Sequence, residues 1–196
     1  MQLVNPSVEE PGRDIFRAYT PINPPPYGNK LMASGQYFGP YGSGNSTINP
    51  IQFRVYYIPL IIPYPLLINE FMIDIITQDN DSQAKLGIFA IERGKIGKNI
   101  YVNTIGLNTT GKRVVPANVS VGAGSYAFIF MTESTIVVVR KSNLTLGLLG
   151  FSAGTEIEDN AYAYNTLAGF DSDLEDDPVT TLSESTSVPR VMARMG

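Results

Sequence analysis

The sequence predicts an all-β protein: an antiparallel β-sandwich of jelly-roll type over residues 31–196, preceded by an extended, proline-rich N-terminal arm of residues 1–30. From about residue 51 to 140, short segments of alternating apolar and polar residues recur every ten to fifteen residues, as half-buried strands do. Clusters of Gly, Asn, Asp and Ser separate these segments and are typical of turns. No segment has the spacing of an amphipathic helix, so a sandwich is favoured.

The arm is defined by its prolines. Residues 1–30 contain six of the 14 prolines, and each one fixes φ and removes a backbone donor, which argues against a helix or central strand. Two interpretations remain open, a solvated tail and an arm that docks onto another subunit. Apolar residues in the arm favour docking, because a solvated linker is usually poorer in them. The expected docking residues are Ile15, Phe16, Tyr19, Ile22, Pro24, Pro25 and Pro26.

A loop rich in Gly, Ser and Tyr follows at residues 35–49. Exposed aromatic side chains in such a loop can bind a sugar or a protein, but they can equally fold onto the core as part of a turn. The second interpretation is favoured, and the first is kept as a candidate binding loop. Its residues are Tyr37, Phe38 and Tyr41.

Seven strands are predicted in the central part of the chain, at residues 52–58, 70–76, 85–91, 99–105, 113–121, 125–131 and 134–140. Their alternation gives each strand one apolar face. The residues expected to share a face are Phe53, Val55 and Tyr57 in the first strand, Phe71, Ile73 and Ile75 in the second, and Leu86, Ile88 and Ala90, pointing inward, in the third. Residues 141–149 are a short strand or a loop, and residues 188–195 are a final strand that returns to the sheet.

The C-terminal part of the chain is acidic. Residues 142–196 carry a net charge of −7 and residues 1–141 carry +3, and nine of the 18 acids lie in a predicted loop region at 156–184. Part of this region resembles the start of a calcium loop, but that motif needs Gly at position 6 and Glu at position 12, where this chain has Asp176 and Leu182. A solvated acidic loop is therefore favoured, and no metal site is predicted. The weak cation-binding candidates are Asp171, Asp173, Glu175, Asp176 and Asp177.

The composition excludes several kinds of chemistry. With no Cys and no His, the chain has no disulfide, no thiol nucleophile and no Ser-His-Asp triad, and no cofactor is predicted. A net charge of −4 gives no electrostatic case for nucleic-acid binding. The N-terminus does not have the pattern of a signal peptide, and three prolines interrupt the longest apolar run, residues 58–68, so membrane insertion is not expected.

Several short pieces, in this order, resemble a known family. They are Arg54–Pro63 followed by Phe71–Ile75, Lys85–Ile91 followed by Gly94 and Gly97, Gly111–Met131 with Gly124-Ser125-Tyr126-Ala127-Phe128 near its end, and Pro189–Arg194. Together they resemble the C-terminal β-sandwich domain of tailed-bacteriophage tail fibre and minor tail proteins, over roughly residues 31–196. Two departures are the tryptophan of the family pattern, replaced here by Ala127, and the arginine before its Leu-Gly, here Lys85.

The resemblance implies a virion protein that binds other virion subunits, host surface glycans or both. The leading hypothesis is therefore a non-enzymatic protein of the tail fibre or baseplate, assembled in the host cytoplasm and anchored by residues 1–30. Its implied partners are other virion proteins, further copies of itself, with a trimer favoured, and a host surface glycan. No catalytic residue carries over, because the family shares no catalytic constellation. The alternatives are a capsid decoration protein such as a head fibre or knob, a standalone carbohydrate-binding module, and a glycoside-active enzyme with paired carboxylates.

Overall fold

The computed structural model describes residues 34–39, 46–92, 95–143, 161–165, 170, 174, 183–185 and 187–196, all of which belong to one compact unit, Ser34–Gly196. These residues form strands and turns and contain no helix, which confirms the predicted all-β class. The strands are β1 (Tyr37–Phe38), β2 (Thr47–Ile48), β3 (Arg54–Ile62), β4 (Leu66–Thr77), β5 (Gln83–Glu92), β6 (Lys95–Gly106), β7 (Gly111–Val121), β8 (Gly124–Thr132), β9 (Val138–Asn143), β10 (Ala161–Asn165), β11 (Ser183–Ser185), β12 (Ser187–Pro189) and β13 (Met192–Met195).

The strands form two antiparallel sheets. The six-stranded sheet has the order β11-β10-β3-β8-β5-β6. The seven-stranded sheet has the order β1-β13-β4-β9-β12, with β7 also paired to β4 and β2 to β9. Strand β4 is long enough to pair with β13 near its start and with β9 near its end. The predicted antiparallel β-sandwich is therefore confirmed.

The main core lies between the two sheets. The buried side chains of Phe71, Ile73 and Ile75 on β4 face those of Leu86 and Ile88 on β5, as their alternation predicts. Aromatic rings join the layers: the Phe71 and Phe128 ring centroids are 5.4 Å apart in an edge-to-face arrangement, and Tyr101 stacks on Phe71 at 5.9 Å. Residues from strands far apart in the chain meet here, so the core holds both sheets together.

Strand β3 extends past the predicted end at Ile58, through Pro59 and on to Ile62. A proline cannot donate to a ladder, so it is tolerated where one side of its strand has no partner. Strand β10 pairs with β3 only as far as Tyr57, and Pro59 lies opposite Ala127 of β8 on the other side. The missing donor therefore falls on the side where no described strand pairs with Pro59, and β3 continues.

The predicted strand at residues 134–140 is wrong in its first half. Residues 133–137 form a turn, and β9 runs from Val138 to Asn143. The cause is Ser134, whose hydroxyl oxygen accepts hydrogen bonds from the backbone N–H of Ile136 at 3.1 Å and of Val137 at 2.9 Å. A serine side chain that binds nearby backbone in this way favours a turn over a strand.

Two further boundaries differ from the prediction. The segment predicted as a loop at 35–49 contains β1 and β2, which pair with β13 and β9. The predicted final strand at 188–195 is divided into two strands, β12 and β13. Strand β12 pairs with β9, whereas β13 lies between β1 and β4 in the sheet. The backbone N–H of Arg190, between the two strands, donates to the Arg140 carbonyl at 2.8 Å and marks the division.

Candidate interaction sites

The candidate binding loop is split by strand β1. The Phe38 side chain points to the core, where its ring centroid is 5.7 Å from that of Phe128. The Tyr37 side chain lies on the outer face of the seven-stranded sheet and is 39% exposed. Of these two aromatic side chains, Phe38 is half-buried and has a packing role, and Tyr37 can contact a ligand. Tyr41 lies outside the described residues.

Tyr37 is held in place by a pair of charged side chains, Glu70 and Arg194. Its hydroxyl donates a hydrogen bond to Glu70 Oε1, and Arg194 Nη1 lies 3.5 Å from the same oxygen. Arg194 Nε also donates to the Gly35 carbonyl at 3.3 Å. The arrangement presents a fixed aromatic ring beside a carboxylate and a guanidinium, which together can stack on a ring and hydrogen-bond hydroxyl groups.

The electrostatics of this cluster keep Tyr37 protonated. The hydrogen bond to Glu70 raises the pKa of Tyr37, and burial and the negative charge of Glu70 raise it further, whereas Arg194 lowers it. Tyr37 therefore acts as a neutral donor at physiological pH. Sequence reasoning missed Glu70 and Arg194 as its partners, because their proximity depends on the register of β1, β13 and β4, which local patterns do not specify.

The six-stranded sheet has a second apolar face. Its outer side carries a cluster, called the outer cluster below, in which the Tyr57 and Phe89 rings meet edge to face at 5.8 Å. Antiparallel sheets often leave one face to solvent, whereas both faces of this sheet carry buried apolar side chains. The buried members of the outer cluster are Val55, Tyr57, Phe89, Ile96, Ala127, Ile129, Met131, Phe170 and Leu174.

Phe170 and Leu174 connect the acidic region to the outer cluster. Both are buried, and the ammonium of Lys85 lies 5.1 Å from the centre of the Phe170 ring, within the range of a cation–π interaction. Phe170 directly precedes the run of candidate cation-binding acids, and Leu174 lies within that run. Their only signal in the sequence is their apolar character within an acidic segment.

A polar cluster joins two turns at the end of the sandwich where β4 and β8 finish. Asp79 Oδ2 accepts hydrogen bonds from the hydroxyls of Ser134 at 2.6 Å and Ser82 at 2.7 Å. The bond from Ser134, then that from Ser82, lowers the pKa of Asp79. Nearby, Glu133 Oε1 accepts from the backbone N–H of Gln83 at 2.8 Å. The Ser134 hydroxyl donates to Asp79 and accepts from two backbone amides, so it closes a turn.

Several predicted sites lie outside the described residues. They are the seven docking residues of the arm, Tyr41, and the candidate cation-binding residues Asp171, Asp173, Glu175, Asp176 and Asp177. Within the described ranges, His, Cys, Asp and Glu form no group of three or more that could hold a metal ion. The same ranges contain no helix that is long and apolar enough to cross a membrane.

Comparisons with known proteins do not assign the chain to a family. A scan against protein-family models, a search of curated proteins and a search of solved structures found no match to this chain.

Proposed function

We propose that this chain is a non-enzymatic structural protein of a bacteriophage particle, a β-sandwich of the tail fibre or baseplate type. Residues 1–30 anchor it to other virion proteins, and the sandwich contacts a host surface receptor. The family resemblance of the sequence motivates the proposal. The observation that best supports it is the exposed ring of Tyr37, because Glu70 and Arg194 hold this aromatic side chain on the outer face of the seven-stranded sheet, where it can contact a receptor.

The composition agrees with assembly in the host cytoplasm. A chain without Cys needs no oxidising compartment to fold and is unaffected by the reducing conditions there. Polar side chains in the turns stabilise the fold: the hydroxyls of Ser82 and Ser134 both donate hydrogen bonds to Asp79. A capsid decoration protein has the same requirements, so the position of the protein in the particle separates these two alternatives.

Deletion of residues 1–29 tests the anchoring role. The compact unit Ser34–Gly196 contains every described strand, so we expect the truncated protein to unfold at nearly the temperature of the full chain. We also expect it to be missing from particles assembled in its presence, as measured by quantitative immunoblotting of purified virions. Incorporation at the level of the full chain contradicts the proposal.

Tyr37 provides the test of receptor contact. Tyr37→Ala removes the exposed ring while the core ring of Phe38 stays in place, so we expect reduced adsorption of particles to host cells with an unchanged unfolding temperature. Ile76→Ala is the matched control and leaves adsorption unchanged. Ile76 is also an exposed apolar side chain, but it lies on β4, whereas Tyr37 lies on β1. A glycan array probed with the isolated sandwich tests the alternative of a standalone carbohydrate-binding module, which binds sugars in the absence of the particle. Normal adsorption of the Tyr37→Ala particles contradicts the receptor role.

A further inference from the structure

Opposite charges are separated along the chain into two blocks. Residues 93–132 contain five Lys or Arg residues and no acid, whereas residues 142–189 contain nine acids and no base. The basic block includes β6 and β7, and the acidic block includes β10 and β11. Because β6 forms one edge of the six-stranded sheet and β11 the other, the fold keeps these strands of the two blocks apart.

Strands β6 and β7 form one side of the sandwich, called the basic side below. Each pairs with a single described strand, β6 with β5 and β7 with β4. The Tyr101 hydroxyl on β6 donates to the Pro116 carbonyl on β7 and joins the edges of the two sheets. The basic side carries Lys98 and Lys112, which are exposed, and Arg113, which is half-buried.

The cations of the basic side have no carboxylate within ion-pair distance among the residues that the structure describes. Other bases of the sandwich do: Arg140 lies 3.4 Å from Asp74, and Arg194 lies 3.5 Å from Glu70. Asp74 is opposite Lys112 in the sheet but pairs with Arg140 instead. A row of cations without acidic partners attracts an anionic ligand.

An acidic run, residues 171–177, has the pattern of a segment that presents its charges outward. Apolar or small residues at 170, 172 and 174 alternate with acids at 171, 173 and 175. Phe170 and Leu174 are buried in the outer cluster. Successive side chains of an extended chain point to opposite sides, so this alternation predicts that the acids point away from their own sheet.

The acidic run and the basic side match in length. A four-residue connection, 107–110, joins β6 to β7, so the two strands run in opposite directions. Lys98 is three residues from Tyr101 and Lys112 is four from Pro116, on opposite sides of the hydrogen bond between the strands. At about 3.3 Å per residue these two bases lie about 23 Å apart along the basic side. Seven extended residues span about 23–25 Å, so the acidic run reaches from one end to the other.

The acidic run of a second copy is the occupant that charge and length favour. In its own copy the run is held at Leu174 in the outer cluster and leads to β11, at the edge opposite β6. A symmetric contact would set basic side against basic side, whereas a head-to-tail contact sets opposite charges against each other. A nucleic acid is less suitable, because the nine acids of the acidic block repel it.

We propose that copies of this chain associate head to tail, with the acidic run of one copy docked along the basic side of the next. Such a contact closes into a ring or continues as a filament, depending on the rotation between copies. This inference goes beyond the proposed function, because neither the arm nor a receptor takes part in it. Its test therefore uses the isolated full-length protein.

The experiment changes each half of the contact in a separate variant. The basic-side variant carries Lys98→Gln and Lys112→Gln, and the acidic-run variant carries Asp171→Lys, Asp173→Lys and Glu175→Lys. We expect each variant alone to self-associate at least about tenfold more weakly than wild type in sedimentation velocity at low salt. An equimolar mixture forms a 1:1 complex, because the first variant keeps the native acidic run and the second keeps the native basic side.

Two controls separate this contact from a general effect of charge. Thr47→Glu combined with Ile136→Glu lowers the net charge by two, as the basic-side variant does, at exposed positions away from β6 and β7, and should leave association unchanged. Raising the salt concentration from about 0.05 M to about 0.5 M weakens association of wild type, because screening shortens the range of the attraction. Circular dichroism melting curves establish that every variant is folded, and the salt series tests the contact in wild type alone.

Four results overturn the proposal: a wild-type chain that is monomeric at its highest soluble concentration in low salt, association that does not respond to salt, a basic-side variant that associates as strongly as wild type, or a mixture of variants that forms no complex. Monomeric wild type that binds polyglutamate assigns the basic side to another acidic protein. Monomeric wild type that binds a single-stranded oligonucleotide assigns it to nucleic acid. None of these results changes the particle-incorporation test, so the two proposals fail separately.

Discussion

Asp79 shows how one residue can make the fold sensitive to pH. Hydrogen bonds from Ser134 and Ser82 stabilise its carboxylate, so its folded pKa lies below its unfolded value of about 3.9. A depressed pKa contributes stability that is complete above the unfolded pKa and is lost as the pH falls through the folded pKa. Protonation of Asp79 therefore loosens the connection between the two turns under acid conditions.

We expect Asp79→Asn to lower the free energy of unfolding at neutral pH, with the difference from wild type shrinking below about pH 4. Urea unfolding at a series of pH values measures this. Asp81→Asn removes one charge from the same turn without touching Ser134 and is the control. A difference between wild type and Asp79→Asn that stays constant down to low pH contradicts the assignment.

Tyr37 makes a second prediction at this scale. Because the hydrogen bond to Glu70 is the largest cause of its raised pKa, Glu70→Gln should move Tyr37 ionisation to lower pH. Alkaline titration followed by ultraviolet absorbance measures phenolate formation, and Tyr37→Phe identifies the step that belongs to this residue. Identical titration curves for wild type and Glu70→Gln would show that the carboxylate does not control the phenol.

At the scale of elements, alternation predicts where strands occur better than where they end. Phe71, Ile73 and Ile75 are buried as expected because period-2 spacing directly reports the two faces of a strand. The ends depend on partners that local sequence does not show: Pro59 is tolerated because β10 stops at Tyr57, and Ser134 ends a predicted strand by binding backbone N–H groups. Register, which brings Arg194 beside Glu70, is equally non-local.

At Gly87, strands β5 and β6 approach so closely that they leave no room for a side chain. A Cβ at this position would lie 2.1 Å from the Tyr101 carbonyl oxygen on β6, and a backbone atom cannot move aside cheaply. We expect Gly87→Ala to destabilise the fold by about 1–3 kcal/mol, because β5 and β6 must separate. Gly106→Ala, whose nearest neighbour atom would be a side-chain atom of Asn108 at 3.6 Å, is the control and changes stability little. Equal unfolding midpoints in urea for both variants contradict this account.

At the scale of the whole molecule, the sequence correctly predicts the sandwich but not the outer cluster on the second face of the six-stranded sheet. A strand such as β3, with Tyr56 and Ile58 on one face and Val55 and Tyr57 on the other, is buried on both sides. The continuous apolar run of residues 55–62 is the pattern of a strand buried on both faces, and the prediction of one apolar face per strand did not take it into account. The acidic region likewise looks solvated because charge dominates its composition, although Phe170 and Leu174 within it are buried against the sheet.

The outer cluster therefore ties the acidic region to the stability of the whole sandwich. Phe170→Ala removes a buried ring in contact with the Lys85 ammonium, and we expect a loss of about 3 kcal/mol in the free energy of unfolding, with increased binding of an apolar fluorescent dye as the outer face opens. Phe170→Leu keeps most of the apolar volume and should lose much less. If Phe170→Ala melts like wild type and binds no additional dye, the ring does not stabilise the sheet. A loss as large in Phe170→Leu as in Phe170→Ala would instead point to the aromatic face over Lys85, because apolar burial alone would be largely retained.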